Sequence, residues 1–253
     1  MINEENRIIN TNRLIILKKK FTIWIHSIFA LTVFLILTSS CKKDNTVQPD
    51  IKHSTVTDGD GNIYGTVIIG TQVWLTENLK TTKYRNGDLI ATTTPAELDI
   101  NEEVAPKYQW AYEGDEDNVS IYGRLYTWYA ITDTRHICPA GWHVPSDAEW
   151  LTLENYLGGY TLAGGKLKET GTTHWITPND VATNETGFTA LPGGWRNIGL
   201  MFVDFAKFGG WWSSTENITS EAFCKYVSYK SGAVYEESDS KKSGIAVRCL
   251  KDK

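Results

Sequence analysis

The sequence predicts an α+β domain in which two helices accompany short antiparallel strands and long Gly-rich loops. Three observations carry that prediction. Pro145-Ser146-Asp147-Ala148-Glu149-Trp150 is a helix start, with Ser146 as cap and Glu149 three residues on. Beyond residue 158, glycine pairs at 164–165, 193–194 and 209–210 interrupt the chain so often that helices are disfavoured there. Near the end, Phe223 to Tyr229, Lys230-Ser231-Gly232 and Ala233-Val234-Tyr235 read as a hairpin in an antiparallel meander.

Residues 1–40 read as an address rather than a fold element. Arg13 and Lys18-Lys19-Lys20 precede an apolar stretch from Phe21 to Leu37, then Thr38-Ser39-Ser40-Cys41. A basic start, an apolar middle and small residues before a cysteine describe an export signal. The alternative is an uncleaved anchor, because about 17 apolar residues is the lower edge of a bilayer span. The run into Cys41 resembles a bacterial lipobox, although Thr38 stands where Leu is usual. The resemblance makes Cys41 the acylated residue, carrying palmitate-type chains that hold the protein at a membrane. Lys42-Lys43-Asp44 resembles the charged signals that send lipoproteins to the outer face of an outer membrane. Residues 41–57 are polar, aperiodic and contain Pro49, so they read as a flexible tether to a domain at 58–252.

Within that domain, Asp58-Gly59-Asp60-Gly61-Asn62 is turn chemistry. Tyr64 to Ile69 and Val73-Trp74-Leu75 are strands joined at Gly70-Thr71-Gln72. Ile63 and Ile69 occupy the positions where an EF-hand loop requires Gly and Glu, which excludes that motif. Residues 84–119 are irregular and acidic. Asp115, Asp117 and Asn118 form a surface calcium candidate there, against the alternative of a solvated loop. Leu125, Trp128 and Tyr129 share one face of a helix expected over 121–131, and Trp150, Leu153 and Leu157 share one face of the helix that begins at Ser146. Gly158-Gly159 ends the latter. Phe188 to Leu191, Gly210 to Ser214 and Ile245 to Leu250 are further strands.

The formal net charge is −5 and no basic stripe occurs, which argues against nucleic acid as a partner. With Cys41 lipidated, Cys138, Cys224 and Cys249 leave one disulfide and one free thiol, and sequence alone does not decide the pairing. Cys138–Cys249 is the favoured pair, closing a loop of about 110 residues. Cys224 then reads as a buried thiol acting as a small hydrophobe.

Several motifs agree in order with a known family. These are Asp60-Gly61-Asn62-x-Tyr64, Gln72-x-Trp74, Glu77-Asn78-Leu79, Tyr122-Gly123-Arg124-Leu125-Tyr126, Cys138-Pro139-x-Gly141-Trp142-His143-Val144-Pro145-Ser146, Trp212-Ser213-Ser214 and Val247-Arg248-Cys249. Over residues 58–252 the chain resembles the Fibrobacter succinogenes major paralogous domain, found in exported and lipid-anchored proteins of Bacteroidetes and Fibrobacteres. That family is similar to the C-type lectin-like fold and to the formylglycine-generating enzymes. The resemblance implies a C-type lectin-like α+β fold, and it implies no particular activity.

No catalytic constellation stands out. His136, Cys138 and His143 would have to converge to hold zinc, and Cys138 is better used in a disulfide. The paired cysteines of formylglycine-generating enzymes are absent, as are the sugar-binding motifs of calcium-dependent lectins; Gln48-Pro49-Asp50 lies in the tether. No cofactor is expected. Trp195, Arg196, Trp211, Glu216 and Asn217 place indole faces beside polar groups and are the ligand-binding candidates. The alternative is that the tryptophans form core, although strand alternation sets Trp211 and Trp212 on opposite faces and predicts that they are not both buried. The expected function is non-catalytic binding of glycan or surface protein by an outer-membrane lipoprotein. A structural or adhesive component without a small ligand is the alternative, and a diverged enzyme the third.

Overall fold

The computed structural model describes residues 54–253; the signal at 1–40, Cys41 and most of the 41–57 tether lie outside the described residues. Period-two alternation becomes strand wherever it is clean. β1 (Thr55–Thr57), β2 (Ile63–Ile69) and β3 (Gln72–Leu75) pair antiparallel in order, and Gly70 makes the second turn at φ 62°. β4 (Gln109–Trp110), β5 (Leu125–Tyr126) and β6 (Trp142–His143) are two-residue strands in the middle of the chain. β7 (Trp195–Arg196) and β8 (Phe202–Val203) form a small ribbon. The longest strands follow: β9 (Phe208–Ile218), β10 (Glu221–Ser228) and β11 (Val234–Ser240), then the short β12 (Ile245–Ala246) and β13 (Leu250–Lys251). One sheet runs β1-β2-β3-β13-β6 and a larger one β11-β10-β9-β12-β5-β4.

Alternate residues of the larger sheet feed two different cores. Tyr126, Trp212, Ala222, Cys224, Ile245 and Val247 join one apolar cluster. Leu125, Trp211, Val227 and Ala246 join the other. Trp211 and Trp212 do point to opposite faces, yet both are buried, 1% and 0% exposed. The expectation that one would be free assumed a sheet with a wet side. At these two positions the sheet is covered on both.

The C-type lectin-like α+β arrangement is not what forms. Curled antiparallel sheet dominates, and the helices are few and short: α1 (Val119–Tyr122), α2 (Trp128–Ile131), α3 (Asp147–Tyr156) and α4 (Tyr160–Leu167). The helix expected over 121–131 breaks at Gly123, φ 75°, where a Cβ would lie 2.6 Å from that of Asn78. Leu125 and Tyr126 then pair with β4 and β12, so their burial on opposite faces overrides the local three-four spacing. The helix α3 begins as predicted, with the Ser146 N–H donating to the Glu149 carboxylate at 2.8 Å.

Helix α4 was not anticipated, because it contains Gly164-Gly165. These glycines let it lie against backbone. A Cβ on Gly164 would come within 2.3 Å of the Ala233 carbonyl oxygen, and one on Gly165 within 2.6 Å of that of Val181. Tertiary approach therefore outweighs a helix propensity cost of about 1 kcal/mol per glycine.

The last strand is tied to β3 and to the middle of the domain. Leu250 of β13 pairs with both Trp74 and His143, and Cys249 is disulfide-bonded to Cys138 across 111 residues. Cys224 is free and buried. Between the last two strands, Arg248 is 1% exposed. Its Nε and Nη2 donate to Asn78 Oδ1 at 3.1 and 2.8 Å, and Nη1 donates to the Phe188 carbonyl at 2.6 Å. Trp211 Nε1 donates to the same Asn78 oxygen at 2.8 Å.

Substituting Gly164→Ala should destabilise the domain by about 3 kcal/mol, the cost of overpacking against backbone, although alanine is the better helix former. Gly210→Ala, whose new Cβ meets nothing closer than 3.6 Å, should cost under about 1 kcal/mol. Urea unfolding of the two variants with equal midpoints would contradict this account of α4.

Candidate functional site

Burial sorts the tryptophans first. Of the nine in the described residues, only Trp128 and Trp195 are not fully buried. Trp128 donates its indole N–H to the Ser213 carbonyl and has the Lys241 ammonium 4.5 Å over its ring. Trp195 instead forms one wall of a surface cavity of about 260 Å³.

The floor of that cavity is one face of the β9–β10–β11 sheet. Register sets Phe208 opposite Ser228, Gly210 opposite Tyr226, and Tyr226 opposite Tyr235. Successive same-face positions on β11 then bring Tyr235, Glu237 and Asp239 into line. Gly210 supplies the space. Phe208 and Trp212 flank it on the same face, and the missing side chain leaves a gap between their rings. Trp195, Phe208 and Tyr226 meet edge to face, with centroids 5.8 Å apart at each step and planes at 67° and 64°. Tyr235 stacks on Tyr226 at 5.0 Å.

Carboxylates occupy the rim. The Tyr226 hydroxyl donates to Glu237 at 2.8 Å, and Asp239 accepts from the Ser243 hydroxyl at 2.9 Å and the Ser240 N–H at 2.6 Å. Burial raises the Asp239 carboxyl above its ordinary range, with the bonds from Ser243 and Ser240 opposing. Asp204 lines the side next to Trp195. Cys224 lies in the wall, and burial pushes its thiol up to about 12, so it is a neutral surface rather than a thiolate at neutral pH.

The five sequence-chosen binding residues do not assemble. Trp195 alone lines the cavity. Arg196 is fully buried as a strut, donating to the Ala96 and Leu98 carbonyls at 3.0 and 2.8 Å with its guanidinium 4.5 Å over the Trp110 ring. Trp211 is enclosed by the second core, so it offers no face to a ligand. Glu216 pairs with Lys241 at 3.1 Å, and Asn217 is exposed beside it. Both sit six or more residues beyond Gly210, about 20 Å along β9. The sequence reading missed Phe208, Tyr226, Glu237 and Asp239. The one available signal was the spacing of Tyr235, Glu237 and Asp239, which a strand presents on a single side.

The acidic loop organises itself. Asp115 accepts the Asp117 N–H at 3.1 Å, capping a 3₁₀ turn at Glu116–Asn118, and Glu116 pairs with Arg124. Among the described residues, no three His, Cys, Asp or Glu side chains converge as a metal site. His143 is held between Asp252 at 2.7 Å and Glu149 at 3.0 Å, and Cys138 is taken up in its disulfide. Among the described residues, no helix is long and apolar enough to cross a membrane.

On the opposite face of the same hairpin, Lys225 is 1% exposed and gathers three carboxylates. Asp147 lies at 2.8 Å, Glu154 at 3.5 Å, and Glu236 also pairs with it. Burial raises the Glu154 carboxyl, with Lys225 opposing.

Residues 67–251 match the Fibrobacter succinogenes major domain, and the chain belongs to that family. No curated protein and no solved structure matches it. The motifs that carried the resemblance prove to be architectural: Asn78, Trp212, Arg248 and Cys249 all lie in the core, and none lines the cavity.

Removing the ammonium by Lys225→Met should cost about 3 kcal/mol at pH 7, because it leaves the buried Glu154 carboxylate without a counter-charge. Burial already raises the Glu154 carboxyl with Lys225 opposing, so without the ammonium its folded-state pKa lies further above the unfolded one and the variant's stability declines as pH rises through the carboxylate range. The deficit in urea unfolding should accordingly be smaller at pH 5 than at pH 7. A deficit independent of pH would rule out the electrostatic explanation.

Proposed function

We propose that this chain is a lipid-anchored envelope protein whose domain binds a ligand, a glycan or a segment of a surface protein, without chemical turnover. The single observation behind the binding reading is the cavity under Trp195, where aromatic faces and hydrogen-bond acceptors meet in a depression left open by Gly210. Aromatic walls with a few polar groups at the rim suit ligands that carry both an apolar face and hydrogen-bonding groups. The anchor rests on the sequence Thr38-Ser39-Ser40-Cys41 after an apolar run, and on the polar tether that follows it.

Two measurements test these parts separately. Cells expressing the full chain and fed labelled palmitate should yield labelled protein in the membrane fraction, and Cys41→Ser should abolish the label. Label retained in that variant would remove the anchor. On defined glycan and peptide arrays, the full chain should give signals that Trp195→Ala reduces at least about tenfold and that Gly210→Val abolishes by filling the cavity. Arrays left blank by the unaltered chain, or signals indifferent to both substitutions, would refute binding at this site.

A further inference from the structure

The charge of the cavity narrows its ligand further. We infer that the cavity under Trp195 is a receptor for an organic cation, a protonated amine or guanidinium of the size of a lysine or arginine side chain. This inference rests on the binding reading above and adds the chemical class.

The walls supply ring faces at steep angles to one another. Trp195, Phe208 and Tyr226 are linked edge to face, and the negative face of an aromatic ring attracts a cation placed over it. The rim supplies negative charge in excess, from Asp204, Glu237 and Asp239. Among the described residues, Lys225 is the one basic residue lining the cavity, and its charge is engaged elsewhere. Lys225 contributes only its backbone to this side, because strand alternation turns its ammonium to the other face, where Asp147, Glu154 and Glu236 hold it. Lys241 is likewise engaged, by the Thr219 carbonyl at 2.8 Å and by Glu216.

The acceptors are also only half used. Tyr226 takes one oxygen of Glu237, and Ser240 and Ser243 share one oxygen of Asp239. Among the described residues, the second oxygen of each carboxylate has no hydrogen-bond partner. A neutral sugar could donate those bonds through its hydroxyls but would leave the charge unbalanced in a partly desolvated site. An ammonium or guanidinium satisfies both, as a charge-assisted donor to the carboxylates with its alkyl stem against the rings.

The test is calorimetric titration of the detergent-solubilised full chain at pH 7. The probes are Nα-acetyl-lysine methylamide, Nα-acetyl-arginine methylamide, the neutral Nα-acetyl-norleucine methylamide and methyl glycosides. Binding of either cation should be at least about tenfold tighter than that of norleucine, the difference expected for a ring-enclosed charge. Glu237→Gln combined with Asp239→Asn should weaken cation binding about tenfold or more, and Gly210→Val should remove it. The unfolding midpoint of each variant verifies that it folds. Equal binding of lysine and norleucine analogues would overturn the inference. Glycosides binding where cations do not would overturn it too, while leaving the binding reading intact. Silence from every probe, with the folded chain verified, would take both away.

Discussion

One carboxamide oxygen organises this domain. Asn78 Oδ1 accepts from the Trp211 indole and twice from the Arg248 guanidinium, joining segments 133 and 170 residues away in sequence. Burial lowers the Arg248 guanidinium below the usual arginine range, with Glu77 opposing. A buried charge of this kind costs several kcal/mol when left unsatisfied. Here the Leu75 and Phe188 carbonyls take both Nη1 donors, and the Phe188 ring lies 4.2 Å beneath the guanidinium. The neighbouring Cys249 then fixes the same segment to Cys138 covalently. The end of the chain is thus held by a polar node and a sulfur bridge at adjacent residues, and the strands on either side of them have little choice of register.

That anchoring places the large sheet between two apolar clusters, which determines where a ligand can bind. Alternate side chains on β9, β10 and β12 serve opposite cores, so most of the sheet has no accessible face. Only towards β11 does the cover thin out. There Trp195 roofs part of the sheet and Gly210 leaves the floor low. The site is the place where the core stops.

The β10–β11 hairpin also separates two electrostatic jobs by parity. Lys225 and Glu236 face the helices and form a cluster with Asp147 and Glu154 in which three carboxylates share one ammonium. Tyr226, Glu237 and Asp239 face the cavity, whose lining Lys225 has its ammonium engaged by Asp147, Glu154 and Glu236. Two adjacent glutamates, Glu236 and Glu237, thereby have different roles: one holds the fold together and the other borders an open site. A one-residue slip in register would exchange them.

The sequence by itself settled the features that depend on near neighbours or on chemical identity. The cap at Ser146 and Glu149 and the β2–β3 turn at Gly70 were legible because each is written in a contiguous run, and the family of the domain because several such runs recur in order. The favoured Cys138–Cys249 pair formed as well, though among alternatives the sequence left open. Tertiary structure decided the rest. The helix expected over 121–131 was split into α1 and α2 because pairing with β4 and β12 buried Leu125 and Tyr126 on both sides, and α4 tolerated two glycines because a backbone lies against them. The cavity was illegible for a related reason. The expected turn set Tyr229 opposite Ala233, which would put Tyr226 across from Glu236, whereas the chain pairs Tyr226 with Tyr235. With a side-chain period of two, that single residue decides which carboxylates face the rings, and only packing against the two cores could fix it.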